Sequence, residues 1–327
     1  MKLRPHPPFS WLSPAGRQGR LSTFIFHRVL PKPDPLLPDE PDSERFDRIV
    51  GFLASNFTLL RAADAAQALA RGTLPAAAAC ITFDDGYADN ATVAAPILQR
   101  HGVPGTFFVS TGYIDGGRMW NDTVIEAVRA APDGVLDWSE FGVPPMILDT
   151  PASRVAAYGQ ALRALKHREP EERRAVTEAI ARRACLPERS GLMMSRAQVQ
   201  QLHRAGMEIG GHTVTHPILA RLGDAEAARE IGRGREHLAQ WTGVPPRTFA
   251  YPNGVPGQDF GPRDAALVRD AGFSAAFTTA RGTAAAGADA YRIPRFTPWD
   301  QQMLRFGARA ALQLLSDRIA PRALAQG

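Results

Sequence analysis

Residues 80–89 have the sequence CITFDDGYAD, in which two carboxylates follow a β-branched and aromatic run. Side chains alternate between faces along a strand, so Asp84 and Asp85 can serve one site only if the strand ends before them. Asp-Gly pairs are also common in surface turns, so Gly86 by itself leaves a turn interpretation open. The other interpretation is a site in which one carboxylate binds a metal ion and the other transfers protons.

Similar β-rich runs alternate with amphipathic segments along most of the chain. Seven runs predict strands: 22–27, 80–85, 106–110, 207–212, 248–252, 275–279 and 291–296. Several segments between them have helical periodicity and end in glycine, as helix C-termini often do. This alternation predicts an α/β fold with a parallel sheet, and about seven units predict a closed or partly open barrel. A mostly helical stretch at about 118–192 breaks the alternation and predicts an insertion on one rim.

The stretch EIGGHTVTHP places two histidines after another predicted strand. His212 and His216 are four residues apart, a spacing that puts both on one face if the chain turns helical and that metal sites use. A histidine packed in the core would explain such a pair equally well. In a parallel barrel, however, all strand C-termini open on one face, so the pair would meet Asp84 and Asp85. Two imidazoles and one carboxylate form an open catalytic zinc site, and the other carboxylate is then available as a general base.

Composition and charge restrict the class of protein. The 327 residues are 44% hydrophobic, which is enough for one large domain or two small ones. The net charge is +5, and much of the arginine lies in helical stretches such as EERRAVTEAIARR; no nucleic-acid-binding motif accompanies it, so we expect no nucleic-acid partner. Cys80 and Cys185 lack metal-ligand spacing and are expected to be buried thiols.

The N-terminal stretch MKLRPHPPFSWLSPAGRQGR contains no apolar run of signal-peptide type, and no stretch elsewhere approaches the length of a membrane span. We therefore expect a cytoplasmic protein. Residues 1–20 are expected to form a flexible N-terminal segment, 21–318 the domain and 319–327 a tail.

The ordered motifs TFDDGY and GGHTVTHP resemble those of the polysaccharide deacetylases of carbohydrate esterase family 4, the NodB-homology group. The similarity extends from about residue 21 to 299. It implies a distorted (β/α)7 barrel and metal-dependent removal of acetyl groups from N-acetylated sugars. It also implies that Asp84 is the catalytic base and that Asp85, His212 and His216 bind the metal, usually Zn²⁺.

The third motif of the family is matched by TFAYPNG, residues 248–254. The resemblance implies that the backbone N–H of Asn253 helps to hold the oxyanion, and it places Tyr251 among the oxyanion or substrate contacts. Many members have an arginine in this motif that pairs with the catalytic aspartate, whereas this chain has Ala250. Arg295 is our candidate replacement.

A second departure concerns the general acid. YRIPRFTPWD lacks the Leu-x-His motif that normally supplies it. A permuted branch of the family, which includes poly-N-acetylglucosamine deacetylases, takes the acid from a histidine after the first strand. FIFHRVL places His27 there, which predicts His27 as the acid; a structural histidine beneath the barrel mouth is the alternative.

The stretch GGRMWNDT supplies three candidate sugar contacts, Trp120, Asn121 and Asp122, because an exposed tryptophan stacks on apolar sugar faces. The alternative is a buried helix start with Asn121 or Asp122 as its N-cap.

The resemblance predicts an N-deacetylase acting on an N-acetylated glycan, and we favour a role in exopolysaccharide biosynthesis. A metal-dependent amidase for a small non-sugar amide and an inactive carbohydrate-binding homologue are the alternatives. The basic stretch FGARAALQLLSDRIAPR predicts an amphipathic helix that either keeps the protein near a membrane or simply docks on the domain. The oligomeric state does not follow from the sequence.

Overall fold

The computed structural model describes residues 7–189, 191–298 and 300–319. The strands within these ranges are β1 (Arg20–Phe26), β2 (Thr58–Leu59), β3 (Ala78–Phe83), β4 (Thr106–Val109), β5 (Val135–Trp138), β6 (Val143–Ile147), β7 (Glu208–Gly211), β8 (Thr248–Ala250), β9 (Ala275–Phe277) and β10 (Ala284–Ala285). The helices are α1 (Phe9–Leu12), α2 (Ser43–Asn56), α3 (Ala62–Arg71), α4 (Ala95–Arg100), α5 (Trp120–Ala130), α6 (Pro151–Lys166), α7 (Pro170–Arg183), α8 (Arg196–Arg204), α9 (Asp224–Thr242), α10 (Pro262–Asp270) and α11 (Met303–Ile319).

The main sheet has the strand order β10-β1-β3-β4-β7-β8-β9, with β2 beside β3. All of its pairs are parallel except that of β10 with β1. The predicted last strand, 291–296, forms only a single bridge, between Ile293 and Phe277 of β9. Next to that bridge, Phe296 N–H donates to Thr23 O of β1 at 2.8 Å, so the segment links the two ends of the curled sheet. The α/β fold with a distorted barrel is confirmed.

Burial explains why the central strands are almost entirely apolar. All six residues of β3 are buried, and Phe83 stacks on Phe107 of β4 with ring centroids 4.7 Å apart. A parallel sheet covered by helices is buried on both faces, so its strands show continuous hydrophobic runs and no alternation. Each fully buried phenylalanine stabilises the fold by about 1.5–3 kcal/mol. The motif-bearing loops therefore extend from a rigid support.

The insertion at 118–192 contains α5, α6 and α7, together with the antiparallel hairpin β5–β6 that sequence patterning missed. It has its own apolar core, which includes Val124, Trp138 and Ile180. The chain then returns to the barrel, where Met193 forms an antiparallel bridge with Tyr87. The insertion thus starts and ends beside the strand that carries the two aspartates.

Both described ends of the chain pack on the barrel. Phe9 of α1 and Phe306 and Leu314 of α11 are buried in the main core. In the segment expected to be flexible, residues 9–12 and 16–18 form short helical turns, and the ring of Phe9 packs on that of Phe57 with centroids 4.6 Å apart. Residues 1–6 and 320–327, and with them most of the proposed tail, lie outside the described residues.

One face of α11 is buried, which agrees with the interpretation that this helix docks on the domain. Elsewhere on the same helix, Leu304 and Leu312 are 90% and 60% exposed. None of the helices in the described ranges has the length and apolarity of a membrane span. Cys80 is buried as expected, but Cys185 is exposed. Cys185 lies beyond the C-terminal end of α7 and so does not occupy a buried helical position.

Candidate metal centre and catalytic cleft

The residues of the candidate site follow the C-terminal ends of four parallel strands. His27 follows β1, Asp84 and Asp85 follow β3, His212 follows β7, and Asn253 lies three residues after the end of β8. Because parallel strands end at the same rim, residues far apart in sequence meet there. The predicted convergence of the two motifs is seen directly.

Asp85, His212 and His216 form a compact group of candidate metal ligands. The Oδ1 atom of Asp85 lies 3.4 Å from Nε2 of each histidine. That buried oxygen has no hydrogen-bond partner among the described residues. His212 Nδ1 lies 2.7 Å from the carbonyl oxygen of Ala250, which can only accept, so the proton is on Nδ1 and the Nε2 lone pair faces the group. This donor set fits a divalent cation such as Zn²⁺.

The two histidines do not converge on a helix, as their spacing suggested. Residues 212–218 are non-helical, and Thr213 and His216 have φ angles of 66° and 55°. Such angles cost roughly 1–3 kcal/mol for residues with a Cβ and persist only where surroundings impose them. Glu230 of α9 imposes them here by accepting hydrogen bonds from the loop N–H groups at 214 and 215. Thr213 Oγ1 accepts another from His216 N–H at 3.0 Å.

The electrostatic environment of these three side chains favours a positive charge between them. Burial alone would raise the pKa of Asp85, but His216 and His212 hold it well below its usual range. Burial lowers the pKa of His216 to about 4, so its imidazole is neutral at pH 7. Burial also opposes the charged form of His212, yet Asp84 and Asp85 outweigh it and raise its pKa. Two buried carboxylates thus attract a cation to the place where the imidazole nitrogens point.

The carboxylate of Asp84 is held by the guanidinium of Arg295, on the side away from the cleft. Arg295 Nη1 and Nη2 donate to Asp84 Oδ1 and Oδ2 at 2.6 and 2.7 Å. Burial raises the pKa of Asp84, but Arg295 and then His212 reverse the effect, so the pKa lies below its ordinary value. The guanidinium thus keeps Asp84 ionised and ready to accept a proton. Arg295 lies where the missing motif arginine is needed, since the position itself is Ala250.

An open cleft of about 410 Å³ leads to Asp84 and the metal ligands. His27 is half-buried in its wall, and Trp120, Asn121 and Asp122 line it from the insertion. The N-cap of α5 is Met119, with no side-chain capping bond, so the alternative role of Asn121 or Asp122 as a cap is wrong. Both side chains are turned toward the cleft instead.

Asp122 has an environment unlike that of the other acids of the cleft. Tyr87 Oη donates to its Oδ1 at 3.1 Å, while its buried Oδ2 and Asn121 Oδ1 have no partner among the described residues. Burial raises the pKa of Asp122 to about 7. Unsatisfied buried oxygens of this kind are suited to hydroxyl or amide donors of a bound sugar.

One expected substrate contact requires correction. Tyr251 is 0% exposed, stacks on Phe260 with centroids 3.7 Å apart, and donates through Oη to Tyr291 O at 3.0 Å. Its side chain belongs to the core because strand alternation turns it away from the cleft. Arg295, our candidate replacement for the motif arginine, is fully buried, pairs with Asp84 and does not belong to the cleft lining.

Asn253 does lie at the cleft, with a φ of 57°. Its carbonyl oxygen accepts from Thr279 Oγ1 at 2.7 Å, and its N–H has no hydrogen-bond partner among the described residues. A fixed, free N–H at this rim can bind a developing oxyanion.

Several charged residues of the cleft were missed from the sequence. Arg28, Glu40, Arg163 and Lys166 all line it. Arg28 is paired with Asp89 at 2.8 Å, whereas Arg163 and Lys166, on the exposed side of α6, form no ion pair with a described residue. Their i, i+3 spacing was visible as helical charge, but only the folded insertion shows that it faces the cleft.

The barrel, its buried aspartate and the candidate group of metal ligands together define a hydrolase site at a strand rim. The chain belongs to the polysaccharide deacetylase family, whose sequence profile matches residues 71–144 and 149–276. No curated protein matches the chain.

Three solved structures share the fold. IcaB from Ammonifex degensii is 21% identical, with a TM-score of 0.59, and the alignment covers 92% of this chain and 98% of that one. Streptococcus pyogenes deacetylase PplD, solved in complex with acetate, is 16% identical, with a TM-score of 0.58 and coverage of 88% and 98%. A de-N-acetylase from Aggregatibacter actinomycetemcomitans is 15% identical, with a TM-score of 0.52 and coverage of 85% and 94%. At these identities the likeness establishes the fold.

Proposed function

We propose that the protein is a metal-dependent hydrolase that removes N-acetyl groups from an N-acetylated poly- or oligosaccharide, with a role in exopolysaccharide biosynthesis. The observation that carries this proposal is the buried, partnerless oxygen of Asp85 between two imidazole nitrogens, next to the ionised Asp84 in an open cleft. A divalent cation held by Asp85, His212 and His216 would supply Lewis-acid polarisation of the attacking water and of the acetyl carbonyl.

The side chains divide the remaining work. Asp84 accepts the proton of the attacking water, since Arg295 keeps it ionised without blocking the cleft. The Asn253 N–H stabilises the oxyanion. His27, which also lines the cleft, donates a proton to the departing amine, which is a poor leaving group without one.

The shape of the cleft supports a glycan over a small amide. The cleft is open, and the half-buried ring of Trp120 lies in its wall, available to stack on a sugar face. The printed descriptions of the structural neighbours as deacetylases agree with this substrate class. The exopolysaccharide role rests on the placement of His27 after β1, as in the permuted branch.

An acetate-release assay tests the proposal. Oligomers of N-acetylglucosamine are incubated with chelator-treated protein and with protein supplied with Zn²⁺ or another divalent metal. We expect acetate only when metal is present. Equal release with and without metal would contradict metal dependence, and release from small N-acetyl amides but not from oligomers would favour the amidase. No release from any substrate would favour an inactive carbohydrate-binding protein.

We also propose a cytoplasmic location. Two unpaired cysteines, one of them exposed, suit a reducing compartment. Cell fractionation with an antibody against the protein tests this, and recovery in an extracellular fraction would contradict it.

A further inference from the structure

A second cavity, of about 570 Å³, adjoins the catalytic cleft. It lies between α5, α7 and the loop that carries His216, and it is lined by Thr215 and Pro217 of that loop. Trp120 lines both spaces, so one ring forms part of the wall of each. A ligand that covers Trp120 in the cleft could therefore continue into the second cavity.

Arg173 of α7 is the notable charge of this cavity. The residue is only 9% exposed, and its guanidinium carbon lies 5.0 Å from the centroid of the Trp120 ring. Its Nη1 donates to Lys166 O at 2.8 Å. No described carboxylate forms an ion pair with it, and burial lowers its pKa.

Two other arginines with little exposure are compensated. Arg295 is paired with Asp84, and Arg28 with Asp89. A buried charge without a counter-ion is costly, because it has lost water and gained no opposite charge. The guanidinium of Arg173 contacts one carbonyl oxygen and one aromatic ring, neither of which carries a charge, so it can still bind an anion.

The charges around Arg173 permit an anion to approach. Arg174 lines the same cavity, and its Nη1 lies 3.9 Å from Oε1 of Glu178, so it partly neutralises the negative charge of that carboxylate. Arg118 adds a third guanidinium, whose Nε is buried without a partner among the described residues. Glu171, the other acid of the lining, is exposed to water and so is screened.

We propose that this cavity binds an acidic group, a carboxylate or a phosphate, of the same glycan whose acetamido group occupies the catalytic cleft. Guanidinium groups bind both kinds of oxyanion through paired, charge-assisted hydrogen bonds. The sugar between the two groups stacks on Trp120. This inference rests on the proposed deacetylase function and adds a substrate class to it: an anionic glycan.

The experiment compares three substrates on the metal-supplied protein. They are neutral N-acetylglucosamine oligomers, oligomers in which N-acetylglucosamine alternates with a uronic acid, and N-acetylglucosamine linked to a nucleotide diphosphate. We expect kcat/KM for one acidic substrate to exceed that for the neutral oligomers by roughly tenfold or more, mainly through KM. Preference for the uronate arm identifies a carboxylate, and preference for the diphosphate arm identifies a phosphate.

Arg173→Gln should reduce the acidic-to-neutral ratio by roughly tenfold to a hundredfold, and Arg173→Lys should restore part of it. Arg182→Gln is the matched control, because Arg182 is an exposed arginine of the same helix outside the cavity lining. A ratio unchanged in Arg173→Gln would overturn the proposal. So would equal kcat/KM for all three substrates in the parent protein, a result that does not depend on any variant folding.

Direct binding separates this inference from the proposed function. Calorimetric titration measures the affinity of the parent protein for the acidic and neutral oligomers without turnover. Tighter binding of an acidic oligomer, lost in Arg173→Gln, supports the anion site even if no acetate is released. Acetate release with equal affinities for acidic and neutral oligomers overturns the anion site and leaves the deacetylase function in place.

Discussion

Asp84 and Arg295, which are 211 residues apart in the sequence, form a two-point ion pair of 2.6 and 2.7 Å in the interior of the barrel. Arg295 Nε also donates to Thr278 O at 3.0 Å, which fixes the plane of the guanidinium. The pair joins the end of β3 to the segment that closes the sheet between β9 and β1. The charge state of the proposed base therefore depends on closure of the barrel.

Replacement of this arginine should destabilise the protein strongly. Arg295→Met leaves Asp84 buried without its counter-ion, and loss of one partner of a buried pair costs about 3–5 kcal/mol. Arg247→Met is the control, because Arg247 and Asp64 form a surface pair that is 53% and 38% exposed and should contribute at most about 1 kcal/mol. Urea unfolding of both variants provides the comparison. Equal losses would show that the Asp84–Arg295 pair is no stronger than a surface pair.

The proposed ligands can be tested by metal content. Asp85→Ala, His212→Ala and His216→Ala should each lose most of the bound divalent metal, because three protein ligands are the minimum for an open catalytic site. His101→Ala, which removes a histidine paired with Asp47 away from the cleft, should retain it. Elemental analysis after dialysis gives the answer. Full metal content in all three ligand variants would refute the assignment.

Asp84→Asn should retain the metal but lose turnover. The amide cannot accept a proton from water, and removal of a general base lowers the rate by roughly 10²–10⁴-fold. Single-turnover acetate release and metal content are measured on the same sample, with Asp64→Asn as a surface control. A rate within a few fold of the parent would place the base elsewhere.

His27→Ala should affect amides more than activated esters. His27 is half-buried in the cleft, and an amine leaves only with a proton, whereas an activated acetyl ester has a leaving group that needs none. We expect a large fall in kcat for the N-acetylated oligomer and a much smaller one for the ester, at unchanged metal content. Equal falls on both substrates would indicate a structural role for His27.

Asp122 predicts a specific pH dependence of stability. Folding raises its pKa from an ordinary value of 3.8 to about 7, so its protonated form favours the folded state. This contribution is complete below about pH 4 and is lost as the pH rises through 7. In chelator-treated protein, Asp122→Asn should therefore gain stability relative to the parent between pH 4 and pH 8, by on the order of 3 kcal/mol.

Denaturant unfolding at both pH values checks this, with Asp270→Asn at an exposed position as the control. A difference between Asp122→Asn and the parent that does not change with pH would show that Asp122 titrates normally in the folded protein.

Much of the site could be predicted from local sequence. The strand patterns placed Asp84, Asp85 and His212 at the C-terminal ends of predicted strands, and the parallel arrangement then required them to share a rim. Gly86, which follows the two aspartates in the motif, has a φ of 94°, an angle that glycine adopts without strain. The motif thus also supplies the backbone conformation that the rim needs. The proposed proximity of Arg295 to Asp84 was an inference from a missing motif residue, and the structure supplies the contact.

Other features depended on contacts that no local pattern encodes. Tyr251 and Asn253 stand two residues apart in one motif, yet one lies in the core and the other at the cleft. The convergence of His212 and His216 arises from left-handed backbone angles imposed by Glu230, not from a helical turn.

The sequence by itself thus determined six strands of the barrel, their order and the rim on which the chemistry lies, because these follow from periodicity and from chain direction within a parallel sheet. Only the tertiary structure decided that Arg295 reaches Asp84 with two hydrogen bonds, which basic residues of the insertion face the cleft, and that Arg173 is buried without a carboxylate partner among the described residues. Burial and ion pairing depend on which distant side chains meet, and that is settled when the barrel closes and the insertion folds over its rim.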